Sequence, residues 1–135
     1  MTRRLLLGAI LPALCATRLR ADSASKNFVR GRLEQPASLV LPDGRHIKLE
    51  GDEPSQGVLN DKRLAGCDFE AHGHFTAASQ FAVDPIHLRA MFVYKEGRQT
   101  MVTYWCDVCY IRTYTPGVCW CCQKDTDLDL IDPGA

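Results

Sequence analysis

The sequence predicts an all-β protein, a small barrel followed by a metal ribbon, and three observations carry that expectation. Short apolar runs recur from residue 28 to residue 131 with turn residues between them, enough for six to eight strands. Only Val58 to Leu64 has room for a turn or two of helix, and no stretch keeps a helical period over any length. Five of the seven cysteines fall in the seventeen residues from Cys106 to Cys122.

Taken in order, Phe28 to Leu33 is short and strand-like. Leu39 to Leu41 and His46 to Leu49 are two arms around Pro42-Asp43-Gly44-Arg45, where Asp-Gly supplies the hairpin turn. Gly51 to Gly57, built from Gly, Asp, Glu, Pro and Ser with one Gln, reads as a loop. Asp68 to Phe75 alternates strictly, which predicts a half-buried strand with Phe69, Ala71, Gly73 and Phe75 inward and Asp68, Glu70, His72 and His74 toward water. Phe81 to Val83 is a further short run. Ala90 to Tyr94 is expected to pair with Thr100 to Trp105 across Glu96-Gly97, and that second arm runs straight into Cys106. Thr126 to Ile131, with Leu128 and Leu130 alternating with Asp127 and Asp129, closes the ribbon. The expected organisation is a lead-in over 22–27, a barrel over 28–94 and a Cys-rich ribbon over 95–135.

Read as C-x2-C-x9-C-x2-C, Cys106, Cys109, Cys119 and Cys122 have the spacing of two knuckles that aim four sulfurs at one tetrahedral ion. A two-residue gap lets both thiols of a pair reach a centre about 2.3 Å from each sulfur, and the longer gap suits a hairpin arm. Zinc is the default ion, in a structural role. Cys121 beside Cys122 is a rival ligand. Disulfides remain an open alternative in an exported protein, as do an iron-sulfur cluster and a redox pair.

The first 21 residues stand apart. Arg3 and Arg4 precede the apolar run Leu5 to Cys15, too short for a permanent span, so 1–21 reads as a signal peptide and the mature protein as exported, periplasmic or secreted, without stable membrane insertion. Thr2-Arg3-Arg4-Leu5-Leu6-Leu7 resembles the twin-arginine signal, which implies export of an already folded protein. Arg18 and Arg20 after the run add to that resemblance, and an ordinary secretory signal is the alternative. Cleavage after Ala16 or Ala21 removes Cys15. Cleavage after Ala21 also removes four arginines and leaves 12 basic against 16 acidic residues, a net of −4. An acidic mature chain argues against nucleic acid as a partner, although cysteine ribbons are frequent in nucleic-acid proteins.

The order of two hairpin strands, a loop or helix, then Leu64-Ala65-Gly66 leading into a strand that ends at Gly73, resembles the small OB-type barrels of exported bacterial proteins. That likeness covers residues 28 to 94. Tyr104 to Cys109, with Thr115-Pro116-Gly117-Val118-Cys119-Trp120-Cys121-Cys122, also looks like the tail of a group of small, uncharacterised exported bacterial proteins. It implies no activity.

Other residues carry weaker chemistry. His72 and His74, two apart on one strand, are a candidate secondary site for copper or zinc with Asp68 or Glu70, against the plainer reading of a solvated strand face. Asp125, Asp127, Asp129 and Asp132 lack the glycine and glutamate of a calcium loop. Cys67 is expected to fill a small apolar space, and Trp105, Tyr110, Tyr114 and Trp120 to cover the metal site. No phosphate loop, serine elbow or paired carboxylates are recognisable. The expected function is an exported, non-catalytic binding or interaction module whose partner is a protein or small molecule. The alternatives are a periplasmic metal-handling or thiol-redox protein, and behind it a small hydrolase using His72 and His74.

Overall fold

A computed structural model describes residues 27–134. The leader expected at 1–21, with Cys15, and all but the last residue of the lead-in lie outside the described residues. The chain runs through β1 (Phe28–Glu34), β2 (Ser38–Val40), β3 (His46–Glu50), α1 (Glu53–Leu59), a 3-10 turn (Lys62–Leu64) and β4 (Asp68–Ala77). It continues through β5 (Gln80–Val83), a second 3-10 turn (Ile86–Leu88), β6 (Met91–Lys95), β7 (Arg98–Cys106), β8 (Ile111–Thr113) and β9 (Asp127–Ile131). The protein is mostly β, as the strand count predicts.

Five strands close into a barrel in the order β1-β2-β3-β5-β4, with β4 pairing back onto β1. The Asp-Gly hairpin joins β2 and β3 with Leu39 opposite Ile47, and β3 runs parallel to β5. This order, with a helix between β3 and β4, is the OB-type arrangement. Its interior is filled by Leu33, Leu39, Ile47, Leu49, Phe69 and Phe81, all 1 % exposed or less. Each such side chain stabilises the fold by about 1.5–3 kcal/mol relative to exposure, so the core rests on these strands.

The helix begins earlier than the sequence reading placed it. Asp52 caps its start by accepting a hydrogen bond from the Ser55 N–H, and Pro54 stands in the first turn, where its missing N–H costs nothing. The stretch read as a loop is therefore largely helix, and Val58 and Leu59 at its end enter the core. Seven residues interrupted by Pro54 and Gly57 show too little period for the pattern to be seen.

Two long strands act as spines. β4 pairs with β1 along one edge, and with β6 and then β5 along the other. β7 pairs with β6 and then β8 along one edge and with β9 along the other. The sheet is thus continuous across residue 95, and Val102 and Tyr104 of β7 belong to the same core as the barrel leucines. Inside it the Tyr104 hydroxyl donates to Asp61 Oδ2 at 2.8 Å, and Arg63 joins Asp61 to the Thr126 carbonyl. Burial pushes the Asp61 carboxyl up, but Arg63 and the Tyr104 hydroxyl outweigh it and hold Asp61 below the ordinary carboxylate range.

The alternation of β4 is only half obeyed. Phe75, expected inward, is 50 % exposed, because β4 runs past the barrel's end there. Glu70, expected in water, is buried at 6 %, because the side chains of Tyr94 on β6 and Gln99 on β7 reach over to it. Among the described residues no helix is long and apolar enough to cross a membrane.

Two predictions follow from these contacts. A Cβ at Gly73 would lie 1.9 Å from the Ala82 carbonyl oxygen, a backbone atom that cannot step aside. Gly73→Ala should cost about 3 kcal/mol or more in urea unfolding, at the upper end of overpacking penalties. Since the Asp61 carboxyl is lowered on folding, its stabilisation is present above the unfolded value of about 3.9 and is lost as pH falls through the lower folded value. Tyr104→Phe should cost about 1–3 kcal/mol at pH 7 and make the fall in stability below about pH 4 shallower.

Candidate metal centre

β7 delivers Cys106 from the core to the start of the ribbon, and β8 returns from it in register, with Cys106 opposite Ile111. Arg112 on β8 fixes this return by donating to Thr103 Oγ1 at 2.7 Å and Asp129 Oδ2 at 2.8 Å, which ties β8 to both β7 and β9. The second pair sits on a tight arm in which the Cys119 N–H donates to the Lys124 carbonyl at 2.7 Å and the Thr126 N–H to that of Gly117.

The two knuckles are copies of one turn. The Tyr110 N–H donates to the Cys106 carbonyl at 2.9 Å, and the Gln123 N–H to the Cys119 carbonyl at 2.7 Å. The residue after each pair, Tyr110 at φ 56° and Gln123 at φ 62°, turns left-handed. Backbone N–H groups also point at sulfur: that of Cys109 donates to Cys106 Sγ and that of Cys121 to Cys119 Sγ, both at 3.4 Å.

These turns bring Cys106, Cys109, Cys119 and Cys122 together, with all four sulfurs within 4.8 Å of one another. Cys106 and Cys122 are 3.6 Å apart, near the roughly 3.8 Å that tetrahedral bonds of about 2.3 Å require. The separation is far beyond a disulfide bond, and the six cysteines among the described residues are all free thiols. Cys106 and Cys119 are buried, Cys109 and Cys122 partly so, while Cys121 is exposed and outside the four.

The electrostatics suit a cation. The Cys122 and Cys121 N–H groups bring Cys119 down to about 7. Cys109 is pushed well above the thiol range, first by hydrogen bonding with the Cys121 thiol and then by burial. Four sulfurs this close cannot all become thiolates unless a positive ion balances them. The donor set and its geometry fit a four-coordinate ion, and these four cysteines could hold one.

The other sequence candidates lie elsewhere. His72 is partly exposed, and its ring stands between Phe28 and Phe92, with centroids 5.7 and 5.2 Å away, while its Nε2 meets Glu70 Oε2. Glu70 also accepts from the Tyr94 hydroxyl at 2.9 Å and from Gln99 at 3.3 Å. The sequence pairs His72 with Glu70 as one of its candidates but gives no sign of Tyr94 and Gln99, which come from strands whose register is visible only after folding. His74 is exposed, and neither histidine joins a metal-ligand group among the described residues. Asp129 and Asp132 pair with Arg112 and Arg98. Cys67 packs partly buried against the core, and burial raises its thiol. Of the four aromatics expected to cover the knuckles, Tyr110 is 74 % and Trp120 75 % exposed, while Trp105 is half-buried with its ring centroid 5.9 Å from that of Tyr110. No protein-family model, curated protein or solved structure matches the chain.

Serine at Cys106, Cys109, Cys119 or Cys122 should release a bound ion and speed amide exchange from Cys106 to Thr126, because an incomplete sulfur set binds far more weakly. Cys121→Ser should keep the ion. Metal content by mass spectrometry on the five variants checks this, and loss of metal from Cys121→Ser alone would move the ligand to Cys121.

Proposed function

We propose that this protein is an exported, non-catalytic binding or interaction module, an OB-type barrel whose ribbon is closed by one structural zinc on Cys106, Cys109, Cys119 and Cys122. The observation that carries the reading is the convergence of four sulfurs from two matched knuckles, two of them buried, which leaves a four-coordinate ion no open position for chemistry. Zinc is favoured over softer or harder ions because it accepts a closed tetrahedral thiolate set without geometric strain. Export is supported by Arg3, Arg4 and the apolar run to Cys15, and a protein or small-molecule partner over nucleic acid by the net of −4 after cleavage at Ala21.

A second reading has one observation in its favour. Cys121 is an exposed thiol beside the four, placed where a metal-handling or thiol-redox protein would exchange copper or electrons. One experiment separates them: metal analysis and thiol titration of untagged protein recovered from the exported fraction. One zinc per chain that survives a weak chelator, with only Cys67 and Cys121 reacting before denaturation, is the expected result. Labile copper or a reducible disulfide would favour the second reading, and a metal-free protein retained in the cytoplasm would reject the first.

A further inference from the structure

An apolar hollow lies where the barrel meets the ribbon, between α1, the second 3-10 turn, β6 and β7. It encloses about 290 Å³. Its floor is apolar and already buried: Val58 from α1, Met91 from β6, and Met101 and Val102 from β7 are each 5 % exposed or less. Ile86 from the second 3-10 turn and Tyr114 from the loop between the knuckles form its sides. Tyr114 is held over the hollow because the same loop packs on the helix, where a Cβ at Gly57 would sit 3.6 Å from the Pro116 ring.

The rim has a different character. His87 and Arg89 line it and are both exposed. His87 has Asp52 as an electrostatic neighbour. Arg89 donates to the Pro133 carbonyl at 3.2 Å, yet among the described residues it makes no ion pair, unlike Arg30, Arg32, Arg45, Arg63, Arg98 and Arg112. It follows the 3-10 turn with φ 56°, a left-handed conformation that a long side chain adopts at a cost. An apolar hollow whose mouth carries a guanidinium with no acidic partner among the described residues is complementary to an apolar body that ends in a negative charge.

We infer that this hollow is a binding site for a small amphiphilic anion, an aliphatic or aromatic carboxylate whose apolar part enters between Val58, Met91 and Met101 and whose carboxylate meets Arg89. Size bounds the ligand. A dry cavity of about 150 Å³ accommodates benzene, so twice that volume suits about ten to twelve heavy atoms. Medium-chain carboxylates are in this range, while long acyl chains would leave most of their length in water. The inference gives a ligand class to the binding module proposed above, but it rests on residues outside the metal centre.

Octanoate is the probe, with octan-1-ol and octylamine as its uncharged and positive counterparts. The chain has three methionines, two of which line the hollow, so methyl-labelled methionine signals of the metal-loaded protein read the site almost alone. Saturable shifts of Met91 and Met101 with octanoate are expected, at least five-fold tighter than with octan-1-ol and without binding of octylamine. Arg89→Gln, at an exposed side chain, should bring octanoate to the affinity of octan-1-ol and leave that of octan-1-ol unchanged. Absence of saturable shifts, equal affinity for the three probes, or a selectivity untouched by Arg89→Gln would overturn the site. Metal content measured on the same sample keeps the two readings apart. Octanoate binding by a zinc-free protein would reject the zinc and keep the pocket, whereas a zinc-loaded protein that ignores octanoate would reject the pocket alone.

Discussion

The hydrogen-bonded ladder of β7 is the constraint on which the rest depends. Its middle, Val102 to Tyr104, lies in the common core, and its last residue is the first cysteine of the cluster. One rigid strand therefore carries the position of the barrel to the cysteine cluster without a linker. β6 connects it to β4, and β9 lies along its other edge from Met101 to Trp105. A strand paired on both edges cannot shift register by one residue without turning Tyr104 out of the core and away from Asp61. The sulfur of Cys106 is placed by that same register.

Beyond β7 the balance of forces changes. The barrel, with the helix and turn between β3 and β4, buries eleven large apolar side chains from Val29 to Val83, but the segment from Asp107 to Asp125 buries only Cys119. Val108, Tyr110, Val118 and Trp120 remain open to water. Hydrophobic burial thus contributes little there, and what holds the knuckles is backbone hydrogen bonding, the Arg112 bridge and the convergence of sulfur. A small element with so few apolar contacts gains its stability from a bound ion where one is present.

The seam between the two regions is where they become one object. Tyr104 with Asp61, Arg63 with the Thr126 carbonyl, and Pro116 against Gly57 all cross it. Since Tyr114 lies between the two cysteine pairs, order in the ribbon decides how well the hollow is walled. Pockets formed between packed units commonly arise this way, with neither unit enclosing the space alone.

Much of this was determined by the sequence itself. Period-two alternation and turn residues specify the hairpins β2–β3 and β6–β7, since each depends on neighbours a few residues apart, and C-x2-C spacing specifies two knuckles because pair and turn are both local. Local pattern could not choose between Cys121 and Cys122. The choice came from the tertiary turn, which repeats the Cys106–Tyr110 geometry at Cys119–Gln123 and so directs the fourth residue of each knuckle inward. The same holds for Glu70, whose alternation points to water while β6 and β7 bring Tyr94 and Gln99 over it. Alternation says which side of a strand a residue occupies, and only the packing of distant strands decides whether that side is wet.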